Sequence, residues 1–102
     1  MQASIDSERI AELVYNAIDV VNEEQEAGSK LPKALDTVLS GHGAALDSLG
    51  LVNLLVAVEE QIAVELGSRL TLFNMKATKR AANPFHTVAT LVQYIEKLAT
   101  AR

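Results

Sequence analysis

Apolar side chains at Ile10, Leu13, Val14, Ala17, Ile18 and Val21 return every three or four residues, with Glu8, Glu12, Asn16 and Asp19 between them. That period predicts an amphipathic first helix, with Asp6 or Ser7 as its cap. The pattern lapses after Asn22 through Glu23, Glu24, Glu26 and Gly28, and Pro32 and the glycines at 41 and 43 mark a long connection. A loop of about twenty residues is unusual in a small domain unless it is functional or pinned by apolar anchors, and Leu31, Leu35, Val38 and Leu39 are the predicted anchors. The second helix is predicted to start at Asp47 or Ser48 and run to Leu66, burying Leu51, Leu54, Leu55, Val58, Ile62 and Leu66, with Gly67 ending it. Val52, Val56 and Val64 widen its apolar surface, which predicts a helix at the centre of the bundle with a narrow exposed strip of Asn53, Glu59, Glu60 and Glu65.

Beyond Gly67 the reading is less regular. Leu70, Thr71, Leu72 and Phe73 alternate as a short extended piece does, and residues 75–82 have the composition of a short helix. Pro84 interrupts the chain, Phe85 is placed to plug the end of a bundle, and Val88, Leu91, Val92, Ile95 and Leu98 define a last helix capped by His86 or Thr87. Three long helices, a short additional one and no convincing strand pair predict an all-α fold: a small antiparallel four-helix bundle with a long first loop.

Composition adds limits. A chain of 102 residues has room for one domain, residues 1–102, and can bury roughly two-thirds of its unfolded surface. No apolar run reaches the roughly 18 residues of a membrane span. The first residues lack a basic patch followed by an apolar stretch, so no secretion signal is read and a cytoplasmic location is expected. The chain has no cysteine, which removes disulfides, thiolate metal sites and cysteine nucleophiles, and its two histidines have no metal-ligand spacing. A net charge of -4 disfavours nucleic acid as a partner. The charge is unevenly shared. Residues 1–50 hold nine acids against three bases, residues 51–102 four against six, and no acid falls between Glu65 and Glu96, where Arg69, Lys76, Lys79 and Arg80 lie. That basic stretch reads equally as a solubilising loop or as a docking element.

The chemistry concentrates at Ser48. A serine where a glycine-rich loop gives way to an apolar helix sits beside the unpaired N–H groups of the first turn, a setting that suits a phosphate ester. Its surroundings are Asp47-Ser48-Leu49, Val52, and Glu59-Glu60 further along the same helix, with Pro84-Phe85-His86-Thr87-Val88 before the last one. These residues, in this order over most of the chain, resemble the acyl carrier protein family. The resemblance implies the fold already described and a serine, here Ser48, that receives 4'-phosphopantetheine from coenzyme A through a separate magnesium-dependent transferase. It implies a non-catalytic carrier of acyl thioesters in fatty acid, polyketide or specialised lipid synthesis, visited in turn by acyl-loading and synthase enzymes.

Under that resemblance Asp47 and Leu49 flank the attachment point and Val52, Asn53, Glu59 and Glu60 face partner enzymes. Leu55, Val58, Ile62 and Leu91 would lie near a cavity for the acyl chain. The chain departs from the family at Gly50 and Asn53, where acids are common, which points to a dedicated partner set and more apolar docking. An aminoacyl or peptidyl carrier is the alternative within the class. Outside it stands a helical interaction domain in which Ser48 merely caps a helix. A nucleophilic hydrolase does not fit, because its G-x-S-x-G elbow needs glycine where Leu46 stands and no general base is close, His42 being six residues upstream. Nothing in the sequence demands more than a monomer.

Overall fold

The computed structural model describes residues 6–23, 31–40, 46–67, 70–72 and 84–100, with Ser48 and Thr100 as backbone. The possible short helix at 75–82, His42, Phe73 and the basic positions Arg69, Lys76, Lys79 and Arg80 lie outside these residues. The described elements are three helices, α1 (Ser7–Asn22), α2 (Ser48–Leu66) and α3 (Val88–Thr100), with no named strand among them. None is long and apolar enough to cross a membrane.

In α1 the six residues chosen by their spacing are the six that are buried, from Ile10 to Val21. Asp6 is the cap: its Oδ1 accepts the Arg9 N–H at 2.8 Å. At the other end Asn22 does work that periodicity did not suggest. Its side-chain amide donates to the Leu31 carbonyl at 2.9 Å and accepts the Leu31 N–H at 2.8 Å, so one asparagine turns the chain back onto the helix that it ends. Lys33 reaches Asp19 nearby, at 3.2 Å.

The loop that follows is fixed to the entrance of α3 through its backbone. Leu39 N–H donates to His86 O at 2.7 Å, Val88 N–H to Thr37 O at 3.1 Å and Ala89 N–H to Leu35 O at 2.9 Å, beside an antiparallel bridge between Val38 and Thr87. Loop carbonyls thus satisfy first-turn N–H groups that a helix leaves open. Thr87 completes the cap, its hydroxyl accepting the Thr90 N–H at 3.2 Å while Thr90 Oγ1 accepts the Thr87 N–H at 3.0 Å. Of the expected anchors, Leu31 and Leu39 are buried, Val38 is half-buried and Leu35 is 51% exposed. Leu35 therefore holds the loop by its carbonyl and leaves its side chain outside.

Contacts between elements fix their directions. Arg9, in the first turn of α1, holds Glu65, in the last turn of α2, through two bonds of 2.8 and 3.0 Å, so α1 and α2 run antiparallel. The loop clasped to the end of α1 also caps the start of α3, so α3 runs antiparallel to α1 and parallel to α2. The starts of α2 and α3 consequently share one end of the bundle.

The helix that packs against both others is α1, and this corrects the expectation that α2 is central. The reason is visible in the extra valines of α2. Val52, Val56 and Val64 are exposed, Val64 to 86%, while Leu54, Leu55, Ala57, Val58 and Ile62 form the buried stripe and Leu51 and Leu66 pack at its edge. Gly67 ends α2 at φ 75°, a left-handed conformation that favours glycine.

The Arg9–Glu65 pair makes a pH-dependent contribution. Hydrogen bonds from Arg9 hold the Glu65 carboxyl below its ordinary value of 4.5, with the guanidinium's charge acting in the same direction. A carboxyl depressed on folding stabilises the fold above its unfolded value, and that share is lost as pH falls through the lower folded value. Glu65→Gln should therefore have a lower urea midpoint than the parent at neutral pH and the same midpoint once acid has protonated Glu65 of the parent in its folded and unfolded states. The gap should be modest and should narrow in salt, because the pair is exposed.

Candidate functional site at the start of helix α2

Ser48 is the first residue of α2, and Asp47 is its cap, in extended conformation with its Oδ1 accepting the Gly50 N–H at 2.7 Å. The helical ladder begins with the Leu51 N–H on the Asp47 carbonyl at 2.9 Å. Asp47 is thus used locally, ordering the turn in which Ser48 is the first helical residue. Both flanking residues, Asp47 and Leu49, are exposed, Leu49 to 69%, so the chain on either side of Ser48 faces solvent. This end of the bundle also carries the start of α3.

Gly50 has a spatial reason to be glycine. A Cβ there would lie 3.1 Å from Asp47 Oδ1 and 3.2 Å from Leu46 Cδ2, tighter than ordinary contact, so a side chain at 50 would press on the capping carboxylate. The neutral residue at this position thus belongs to the way Asp47 closes the turn. Asp47→Ala should cost about 1 kcal/mol of stability, the usual loss for removing an N-cap, read as a fall in the urea midpoint at unchanged slope.

The residues expected to face partners divide. Val52, Asn53 and Glu60 are exposed, together with Leu49, Val56 and Val64. Glu59 was expected on the exposed strip and is instead 8% exposed, with its Oε2 accepting the Leu72 N–H at 2.7 Å. The carboxylate is turned inward because the segment at 70–72 crosses over α2 and needs an acceptor there. Tyr94 of α3 donates to the Leu72 carbonyl at 3.4 Å, so both backbone polar groups of Leu72 are held, one from each parallel helix. Leu70 and Leu72 are buried and Thr71 exposed, the alternation expected of an extended piece.

Leu55, Val58, Ile62 and Leu91 are within 1% of complete burial and belong to one close-packed core with Ile10, Ile18 and Phe85. None of them lines the groove of about 410 Å³ that opens between α1 and α3. Phe85 is fully buried and meets Tyr94 edge to face, ring centres 5.7 Å apart. His86 is exposed and engages the loop through its carbonyl alone among the bonds described, leaving the capping role to Thr87. Among the described residues no group of three or more His, Cys, Asp or Glu side chains could hold a metal ion.

Comparison of the chain with protein-family models, with curated proteins and with solved structures finds no match.

Proposed function

We propose that this chain is a carrier protein whose Ser48 bears 4'-phosphopantetheine and holds acyl groups as thioesters in fatty acid, polyketide or specialised lipid synthesis. The observation that carries the reading is the position of Ser48 as the first residue of a 19-residue helix, ordered by the Asp47 cap and flanked by exposed residues. A covalent arm fits such a place. It needs an attachment point that an outside enzyme can reach and a helix end whose N–H groups favour the phosphate. Ser48 would hold the arm, with Asp47 keeping the turn in shape and Leu49 offering an apolar contact to the enzyme that installs it. When attached, the arm supplies a terminal thiol, a group absent from this cysteine-free chain.

The remaining work of the chain under this reading is presentation. The α2 surface beside Ser48 offers Leu49, Val52, Asn53, Val56 and Glu60 to a partner, and it is only lightly acidic, because Gly50 and Asn53 are neutral and Glu59 is turned inward. Docking of loading and synthase enzymes on this surface should depend more on apolar contact than on charge and should be weakly salt-dependent.

Because the chain has no cysteine, its thiol content starts from zero. Incubation with a promiscuous phosphopantetheinyl transferase, magnesium and coenzyme A, followed by desalting, should yield one Ellman-reactive thiol per chain. Ser48→Ala should stay at zero. A parent protein that remains at zero while folded overturns the proposal, and a thiol gained by both proteins moves it to another residue.

A further inference from the structure

Helix α2 leaves one side outside the bundle. Leu49, Val52, Asn53, Val56, Glu60 and Val64 follow one another at steps of three and four residues, so they line one face, and all six are exposed. The opposite face holds Leu54, Leu55, Val58 and Ile62 in the core. The exposed strip is about 22 Å long, apolar at Leu49, Val52, Val56 and Val64, with one acid and no base. No hydrogen bond or ion pair among the described residues engages the side chain of Asn53 or Glu60.

The strip matches itself end to end. About a point between Val56 and Ala57, Leu49 and Val64 are equidistant, and so are Asn53 and Glu60. Two copies of α2 laid antiparallel about a twofold axis through that point set each Leu49 level with Val64 of the other copy and each Asn53 level with Glu60. Val56 of both copies then lies at the axis. The Asn53 amide donates to the Glu60 carboxylate on both sides, and the two carboxylates stand about 10 Å apart along the helices, about one Debye length at 0.1 M salt. A parallel pair would set Glu60 against Glu60. Apolar facing apolar and amide facing carboxylate about one centre is what a twofold interface needs, whereas a foreign partner requires no such match within this chain.

We infer that the exposed face of α2 is a self-association surface that pairs two copies of this chain antiparallel. A strip one helix wide falls short of the roughly 1,200 Å² of a stable interface, so the dimer is weak, with a dissociation constant of about 0.1 mM. The pairing does not rest on modification of Ser48. It covers the surface that the carrier reading gives to partner enzymes, so the two uses of α2 exclude each other.

Sedimentation equilibrium of the unmodified chain tests it. Between about 10 µM and 1 mM the average mass should rise from the 11.0 kDa of one chain towards twice that, with concentration-dependent amide shifts centred on residues 49–64. Val64→Glu, which sets a carboxylate against Leu49 of the other copy, should weaken association more than about tenfold. Val56→Glu, which places two carboxylates at the axis, should do the same, and either variant carries the test if the other loses the parent's amide spectrum in α1 and α3. Asn53→Lys should tighten association about three- to fivefold by meeting Glu60, and Asn53→Glu should weaken it. A mass that stays at one chain up to 1 mM overturns the inference and leaves the strip to a helix of another protein. Association undiminished in a folded Val64→Glu or Val56→Glu, weakened by Asn53→Lys, or accompanied by shifts centred elsewhere also overturns it.

Discussion

Phe85→Ala should lower the stability of the protein by about 3 to 5 kcal/mol, the cost of truncating a fully buried aromatic side chain and leaving a cavity. Loss of its edge-to-face contact with Tyr94 accounts for about 1 kcal/mol of this. The position magnifies the damage. Phe85 lies in the turn before α3, and its carbonyl accepts the Ser40 hydroxyl at 2.7 Å, so the ring anchors the same junction where the long loop is bonded to the helix start. Domains of this size have total stabilities of about 5 to 15 kcal/mol, and the variant should therefore unfold at a much lower urea concentration. Phe85→Leu, which refills most of the space, should recover a large part of the loss. Equal midpoints for parent and Phe85→Ala would contradict the assignment of Phe85 to the core.

Glu59→Ala should have the next largest effect on the fold, about 1 to 3 kcal/mol, by stranding the buried Leu72 N–H without its acceptor. Glu59→Gln keeps an oxygen within reach and should lose clearly less. The contrast tests whether the carboxylate serves as an acceptor for the crossing segment. Hydrogen exchange at Leu72 should speed up in Glu59→Ala well beyond any change at Val58 or Ile62, because the segment at 70–72 is held by this bond and by Tyr94, whereas those two side chains sit within the core. Equal losses in the two variants would show that the negative charge of the carboxylate, and not an oxygen placed to accept the Leu72 N–H, is what Glu59 contributes.

The features legible in the sequence are those set by local periodicity and by capping chemistry. Every buried residue of α1 is recoverable from spacing because a single stripe faces both neighbours. Asp47 and Gly67 are readable, and Thr87 is one of two candidates with His86, because caps and stops depend on residue type within three or four positions. The order of packing was not readable. An α2 apolar on several sides suggested a central helix, yet Val52, Val56 and Val64 are left outside, since hydrophobicity does not say whether a neighbour arrives.

Glu59 escaped for a related reason. A glutamate beside Glu60 on a helix looks solvated, and the peptide that turns it inward lies 13 residues further on. Leu35 was read as a side-chain anchor, whereas its carbonyl does the holding, and a backbone acceptor leaves no mark in the pattern of side chains. At the candidate site the sequence supplied Ser48 and Asp47. The structure adds how the turn is closed, by an aspartate resting against a glycine too crowded to carry a side chain without pressing on it. The groove between α1 and α3 had no signal at all, because it is assembled from two helices and a loop far apart in the chain.

The central claim concerns a covalent bond at one residue, and intact mass with peptide mapping reads it directly. The parent chain, treated with transferase and coenzyme A, should gain the mass of one phosphopantetheine, and the fragment carrying it should localise the addition to Ser48; Ser48→Ala, folded by its amide spectrum, should gain nothing. An unmodified parent under conditions that fully load a control carrier, or an addition mapped to any other residue, would contradict the account.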